Sequence, residues 1–181
     1  MCIRDRFDIN INGVTEHFHA PVLGSFNAIN LTSVILMAKE LGMSVDEIKI
    51  ALHNLKPVEH RLHLSRANGK LILDDSYNGN LEGMLEACQI ASTYEGRKVI
   101  ITPGLVESNM ESNVKLAHTI EDIFDVVIIT GSLNVKLFEK VMTKVKPIIL
   151  EDKSKMQAVS YTHLRAHETV LDLVCRLLLE K

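Results

Sequence analysis

Tryptophan is absent from this chain and aromatic residues make up only 4% of it, so a platform on which nucleic-acid bases could stack is poorly supplied. Long apolar runs are missing as well. None approaches the roughly 20 residues that a helix needs to span a bilayer, and the first residues lack the apolar core of a signal peptide. Charge of one sign is not in excess. With 20 Lys+Arg against 23 Asp+Glu the formal net charge is -3, which offers no basic face to a phosphate backbone or an anionic membrane. No nucleic acid and no membrane are therefore expected as partners. The 3 cysteines stand at unrelated positions and make neither a disulfide framework nor a zinc site. Also missing are the Gly-X-X-X-X-Gly-Lys-Ser/Thr loop, whose amides and lysine cradle a triphosphate, and an acidic cluster suited to magnesium. What is present is a chain of 181 residues, 46% hydrophobic, which suits one or two compact domains of cytosolic type.

Phe7 to His19 alternates apolar and polar residues around Asn12-Gly13, a dipeptide favoured in tight turns, and predicts a hairpin. A helix is expected from Ser25 to Leu41, ending at Gly42, and a second from the capping box Ser44-Val-Asp-Glu47 to about Leu55, where Pro57 stops it. The aperiodic stretch that follows places a domain boundary between 57 and 58. A second hairpin is expected from Arg61 to Asp74, turning through Ala67-Asn68-Gly69. Strand and helix then alternate: Leu81 to Tyr94, Lys98 to Thr102, Ser112 to Phe124, Val126 to Thr130, Ser132 to Lys144, Pro147 to Leu150. Continuous apolar runs such as Val126-Val-Ile-Ile129 between amphipathic helices predict an α/β domain with a parallel sheet covered on both faces.

Both ends look foreign to this pattern. Met1-Cys-Ile-Arg-Asp-Arg6 is what ATG-TGT-ATA-AGA-GAC-AG encodes, which resembles a transposase recognition end used in sequencing libraries. Val159 to Thr169 resembles the translated inverted end plus its adapter, and Asp172 to Lys181 the adapter's distal part. Residues 1–6 and 158–181 are accordingly expected to be adapter-derived and to stand outside the fold, leaving 7–57 and 58–157. The alternative for the tail is an amphipathic helix, because Leu171, Val174, Cys175 and Leu178 fall at helical spacing.

Chemistry concentrates between Lys70 and Met84. Leu71, Ile72 and Leu73 suit a buried strand, Asp74 and Asp75 end it, and Asn80 caps the helix that begins at Leu81. Ligands of open α/β sheets sit outside the carboxyl ends of strands, near helix N-termini that favour anions, so a phosphate-bearing ligand is physically possible here. Taken singly, each residue has an ordinary reading too. Asp75 could be a solvated turn residue, Arg61 could pair with Glu59 or Asp74, Asn27 could hydrogen-bond within its helix, and Tyr77 could be packing. His60 and His63 lack a third ligand at metal-binding spacing, and Cys88 reads as a small core residue. Gly104 sits at a second strand tip, where a turn needs glycine in any case.

Asp74-Asp75-Ser76-Tyr77-Asn78-Gly79-Asn80 resembles the Asp-Asp-Ser-Tyr-Asn-Ala-Asn signature of the Mur ligase family, in its branch that adds D-alanyl-D-alanine, with Gly79 in place of the alanine. Leu55-Lys-Pro-Val-Glu-His-Arg-Leu62 resembles the family segment in which an arginine enters the last domain, which puts Arg61 at that arginine. Gly24-Ser-Phe-Asn-Ala-Ile-Asn30 is similar to the family's Gly-X-His-Asn-X-X-Asn, with Phe26 replacing the histidine. Three motifs in this order are far more specific than any one of them.

The resemblance implies a truncated Rossmann-like C-terminal domain (58–157), preceded by the strand-and-helix end of a central ATPase domain (7–57). It implies an ATP-dependent ligase that joins D-alanyl-D-alanine to UDP-N-acetylmuramoyl tripeptide through an acyl phosphate, with ATP and Mg2+ as cofactors, working as a cytoplasmic monomer in peptidoglycan synthesis. Asn27, Arg61, Asp75 and Asn78 are the nucleotide-binding residues it carries over, Asp75 toward the ribose hydroxyls and Arg61 toward phosphate. Without the phosphate loop no turnover is expected of these residues alone. Two other readings stand beside it: another Mur-type ligase, for instance one acting on folate, and a non-catalytic Rossmann-like nucleotide-binding module.

Overall fold

The computed structural model describes residues 6–67, 70–77, 79–151 and 176–180, and the chain divides into two compact units, Met1–His63 and Leu64–Lys181.

In the first unit, β1 (Arg6–Ile11) and β2 (Val14–His19) form the expected antiparallel hairpin. Asn12 and Gly13 both take positive φ, 53° and 85°, the mirror-image turn whose twist matches that of the flanking strands. Alternation then puts Ile9, Ile11 and Phe18 in a core with Ile35 of α1 (Ser25–Glu40) and with Ile48 and Leu52 of α2 (Val45–His53). The capping box of α2 is complete: the Ser44 hydroxyl accepts from the Glu47 N–H at 3.3 Å and the Glu47 carboxylate accepts from the Ser44 N–H at 2.9 Å.

The second unit is a six-stranded sheet in the order β3-β4-β8-β5-β6-β7, with β3 (His63–Ala67), β4 (Lys70–Asp74), β5 (Arg97–Thr102), β6 (Val126–Thr130), β7 (Ile148–Leu150) and β8 (Arg176–Glu180). Helices α3 (Leu81–Ser92), α4 (Met110–Ile123) and α5 (Val135–Val141) connect the strands. Strands β5, β6 and β7 pair in parallel. Every residue of β5 from Val99 to Thr102 is buried, as the continuous apolar run predicts for a strand covered on both faces. Val99, Ile101, Ile128 and Leu150 make one core cluster of the sheet. The boundary expected at 57–58 compares with a division between His63 and Leu64.

One strand departs from expectation. Residues 176–180, read from the sequence as outside the fold or as part of a helix, form β8 in the middle of the sheet, antiparallel to β4 on one side and to β5 on the other. Of the positions at helical spacing, Leu178 falls in this strand, and Leu171, Val174 and Cys175 lie outside the described residues. The three consecutive leucines at 177–179 have the composition of a strand hydrogen-bonded on both edges.

Glu121 ties the far end of this unit together. Its carboxylate accepts from the Thr143 and Lys144 N–H groups at 2.8 and 3.1 Å and lies 3.0 Å from His118 Nδ1. The His118 bond first, then the two amides, hold its pKa down to about 2 from the usual 4.5. Because the folded value is the lower one, this contribution to stability is complete above pH 4.5 and is lost as pH falls from there toward 2. Glu121→Gln is expected to flatten the acid limb of a pH–stability curve over that window, and an unchanged acid limb would contradict it.

Candidate functional site at the strand tips

Three loops leave the carboxyl ends of β4, β5 and β6 on one edge of the second unit's sheet. At the tip of β4, Asp74 is turned inward, 6% exposed, and its Oδ1 accepts from the Ser76 N–H at 3.1 Å. It shapes the loop rather than facing outward. The next carboxylate behaves differently. Asp75 is half-buried, and its Oδ2 lies 4.0 Å from where a Cβ on Gly83 would stand, in the first turn of α3. Asn80 caps that helix as expected, its Oδ1 accepting from the Gly83 N–H at 2.8 Å.

A negative side chain and a capping oxygen thus already occupy the positive end of α3. The tip is therefore suited to a ligand's hydroxyl donors, which a carboxylate accepts, and unsuited to a second anion such as phosphate. Tyr77 is 67% exposed, so its ring is not core packing. Asn78 lies outside the described residues.

The other two expected contacts belong to the first unit. Asn27, near the start of α1, donates through Nδ2 to the Leu23 carbonyl at 2.6 Å, which is the local bond its position allowed. Arg61 is exposed, and its N–H donates to the Val58 carbonyl at 3.3 Å. On either side of it the backbone is strained: His60 has φ 64° and Leu62 φ 46°, left-handed values that a branched leucine rarely adopts. Such strain persists where the surroundings over-determine it and concentrates at functional segments. No glycine or asparagine marks these positions, so nothing in the sequence signals it.

Sequence reading also misses two asparagines behind the β5 tip. Asn113 and Asn134 are buried among helical residues and both reach the Pro103–Leu105 turn. Asn134 stands at the N-cap of α5 yet makes no capping bond. The only available signal was an asparagine at a helix start, which reads as an ordinary cap. Cys88 is a core residue whose thiol is pushed up to about 12 by burial, too high for a nucleophile. Among the described residues no group of three His, Cys, Asp or Glu could hold a metal ion, and no helix is long and apolar enough to cross a membrane.

No family model matches the chain. It is 34% identical over 93 residues to the UDP-N-acetylmuramoyl-tripeptide--D-alanyl-D-alanine ligase of Escherichia coli, a match that covers 51% of this chain and 21% of that enzyme. Over that half, the chain is similar in sequence to a Mur ligase. Its fold is also that of solved Mur ligases. A structure from Acinetobacter baumannii described as a UDP-N-acetylmuramoylalanyl-D-glutamyl-2,6-diaminopimelate--D-alanyl-D-alanyl ligase superposes with TM-score 0.74 at 21% identity, over 90% of this chain and 36% of that one. The MurF ligase of Thermotoga maritima in complex with ADP gives 0.71 at 19% identity, over 87% and 37%. The chain thus spans well under half the length of the Mur ligases it matches.

Proposed function

We propose that this Mur ligase segment carries the ribose-facing side of the nucleotide site of an ATP-dependent ligase that adds D-alanyl-D-alanine to UDP-N-acetylmuramoyl tripeptide. The observation that carries the reading is Asp75: a half-buried carboxylate at a strand tip, inside the loop whose residues match the family signature. Arg61, on its strained segment, has the planar fork that phosphate oxygens fit. Asn78 belongs to the same sequence motif as Asp75. Asn27, whose Nδ2 donates to the Leu23 carbonyl, is the residue that the resemblance would assign to an adenine contact. The intact enzyme would use ATP to phosphorylate the tripeptide carboxylate and the D-alanyl-D-alanine amine to displace that phosphate, working in the cytoplasm as a monomer.

The described residues do not fit the remainder of the cofactor. They include no triphosphate loop and no cluster for Mg2+, so no step of phosphoryl transfer is assigned to them. The chain alone is proposed to bind nucleotide weakly and to form no amide.

Titrating the purified chain with adenosine and with ADP, followed by amide NMR, tests this. Resonances of Asp75 and the N-terminal turn of α3 should move with both ligands. Asp75→Asn, which removes the charge from a charge-assisted hydrogen bond, should weaken both by about tenfold, corresponding to ~1.4 kcal/mol. Equal affinity in the variant, or movement with inorganic phosphate alone, would refute the assignment of Asp75 to the ribose.

A further inference from the structure

We infer that Asn113 and Asn134 are positioning residues of this site: two buried carboxamides that fix the turn after β5 as a rigid backing for the loop that carries Asp75. The inference deepens the nucleotide reading and rests on it for the ligand's identity, but not for the mechanics.

Four backbone groups of the turn are paired by side chains. Asn113, 2% exposed on α4, accepts from the Leu105 N–H through Oδ1 at 2.8 Å. Its Nδ2 donates back to the Leu105 carbonyl at 3.0 Å and to the Asn109 carbonyl at 3.3 Å. One side chain thus pairs both backbone groups of Leu105, as a neighbouring strand would. Asn134, 8% exposed, donates through Nδ2 to the Pro103 carbonyl at 2.8 Å and to the Leu105 carbonyl at 3.3 Å. The Gly104 N–H donates to the Thr102 hydroxyl at 3.1 Å. Side chains from a strand tip and two helices therefore satisfy every one of these backbone groups.

Such a network resists displacement, because moving one of these groups strands a buried polar atom in a medium that cannot replace the bond. What the network holds lies against the signature loop. Leu105 is 1% exposed, and its Cδ2 is 3.9 Å from the position of a Cβ on Gly79, four residues beyond Asp75. If Leu105 shifts, the wall behind Gly79 shifts with it. Two carboxamides from different parts of the chain converge on the backbone of one turn, so its position is fixed from two directions. The arrangement makes sense where the position of a neighbouring loop has to be held to a fraction of an ångström.

The test compares Asn113→Ser and Asn134→Ala with Ile120→Val, a control that loosens the α4 core without touching the turn. Hydrogen exchange at the Tyr77 and Gly79 amides and ADP affinity are measured in the full chain at a temperature where all variants are folded. Both asparagine variants should speed exchange at these amides about tenfold and weaken ADP binding, while the control leaves both unchanged. If Asn113→Ser fails to fold, Asn134→Ala alone decides. Wild-type exchange at Tyr77 and Gly79 in the folded asparagine variants overturns the inference, as does an equal increase in the control. If exchange responds as expected but ADP leaves the wild-type spectrum unmoved, the positioning role stands and the nucleotide reading is the one that falls.

Discussion

A chain shortened by residues 176–181 is expected to lose the cooperative fold of its second unit. Strand β8 is hydrogen-bonded on both edges, from Leu71↔Leu179 to Asp74↔Arg176 on one side and from Arg97↔Glu180 to Ile101↔Arg176 on the other. Removing it strands the facing N–H and C=O groups of β4 and β5 in the centre of the sheet, where Leu73, Val99 and Ile100 are fully buried. Each buried backbone group left without a partner costs about 1–3 kcal/mol, and a domain's whole stability is about 5–15 kcal/mol, so a handful of such groups is decisive. The measurement is far-UV circular dichroism through a thermal melt, with amide exchange at Val99 to Ile101. One outcome would defeat the expectation. Because β4 and β5 are each antiparallel to β8, they run the same way, and the truncated sheet could close by pairing them in parallel. Retained protection at Val99–Ile101 with a sharp melt would mean that it does.

Gly104→Ala is expected to destabilise the second unit by about 2–4 kcal/mol, from a conformational and a steric contribution together. Gly104 has φ 73°, where a Cβ meets its own backbone at a cost of about 1–2 kcal/mol. The added carbon would also stand 2.8 Å from Asn113 Oδ1, 2.8 Å from Asn134 Nδ2 and 3.0 Å from Phe138 Cε2. None of the three can retreat cheaply. Both amides are held by hydrogen bonds to the turn itself, and Phe138 is completely buried. Gly131 provides the matched comparison: its φ is 74°, yet nothing lies within 4 Å of where its Cβ would be. Gly131→Ala should therefore cost the backbone contribution only. Chemical denaturation of the two variants separates the contributions, and equal losses would show that the crowding around Gly104 relaxes without penalty.

The proposed nucleotide site was legible in part, and the divide follows the range of the interactions. The place of Asp75 at a strand tip was readable because a strand's apolar run, an acidic tip and a capping asparagine lie within eleven residues of chain, Lys70 to Asn80. For Asn27 the pattern could not choose between an outward and a local hydrogen bond, since both satisfy the same amide, and the structure has its Nδ2 on Leu23. At Arg61 the side chain was readable and its strained setting was not. Positive φ is signalled in sequence by glycine or asparagine, and His60 and Leu62 are neither.

Local rules determined most of the frame. The left-handed pair at Asn12-Gly13, the reciprocal caps of Ser44 and Glu47, and the buried runs of β5 and β6 all arise from residues a few positions apart, so a short window of sequence contains both the cause and the result. Tertiary structure alone decided the seat of β8 and the clamp on the β5 turn. Asp74 meets Arg176, and Asn134 meets Pro103, across stretches of chain that no local window spans. A hydrogen bond that closes so long a loop forms only when the rest of the core has already brought its partners together.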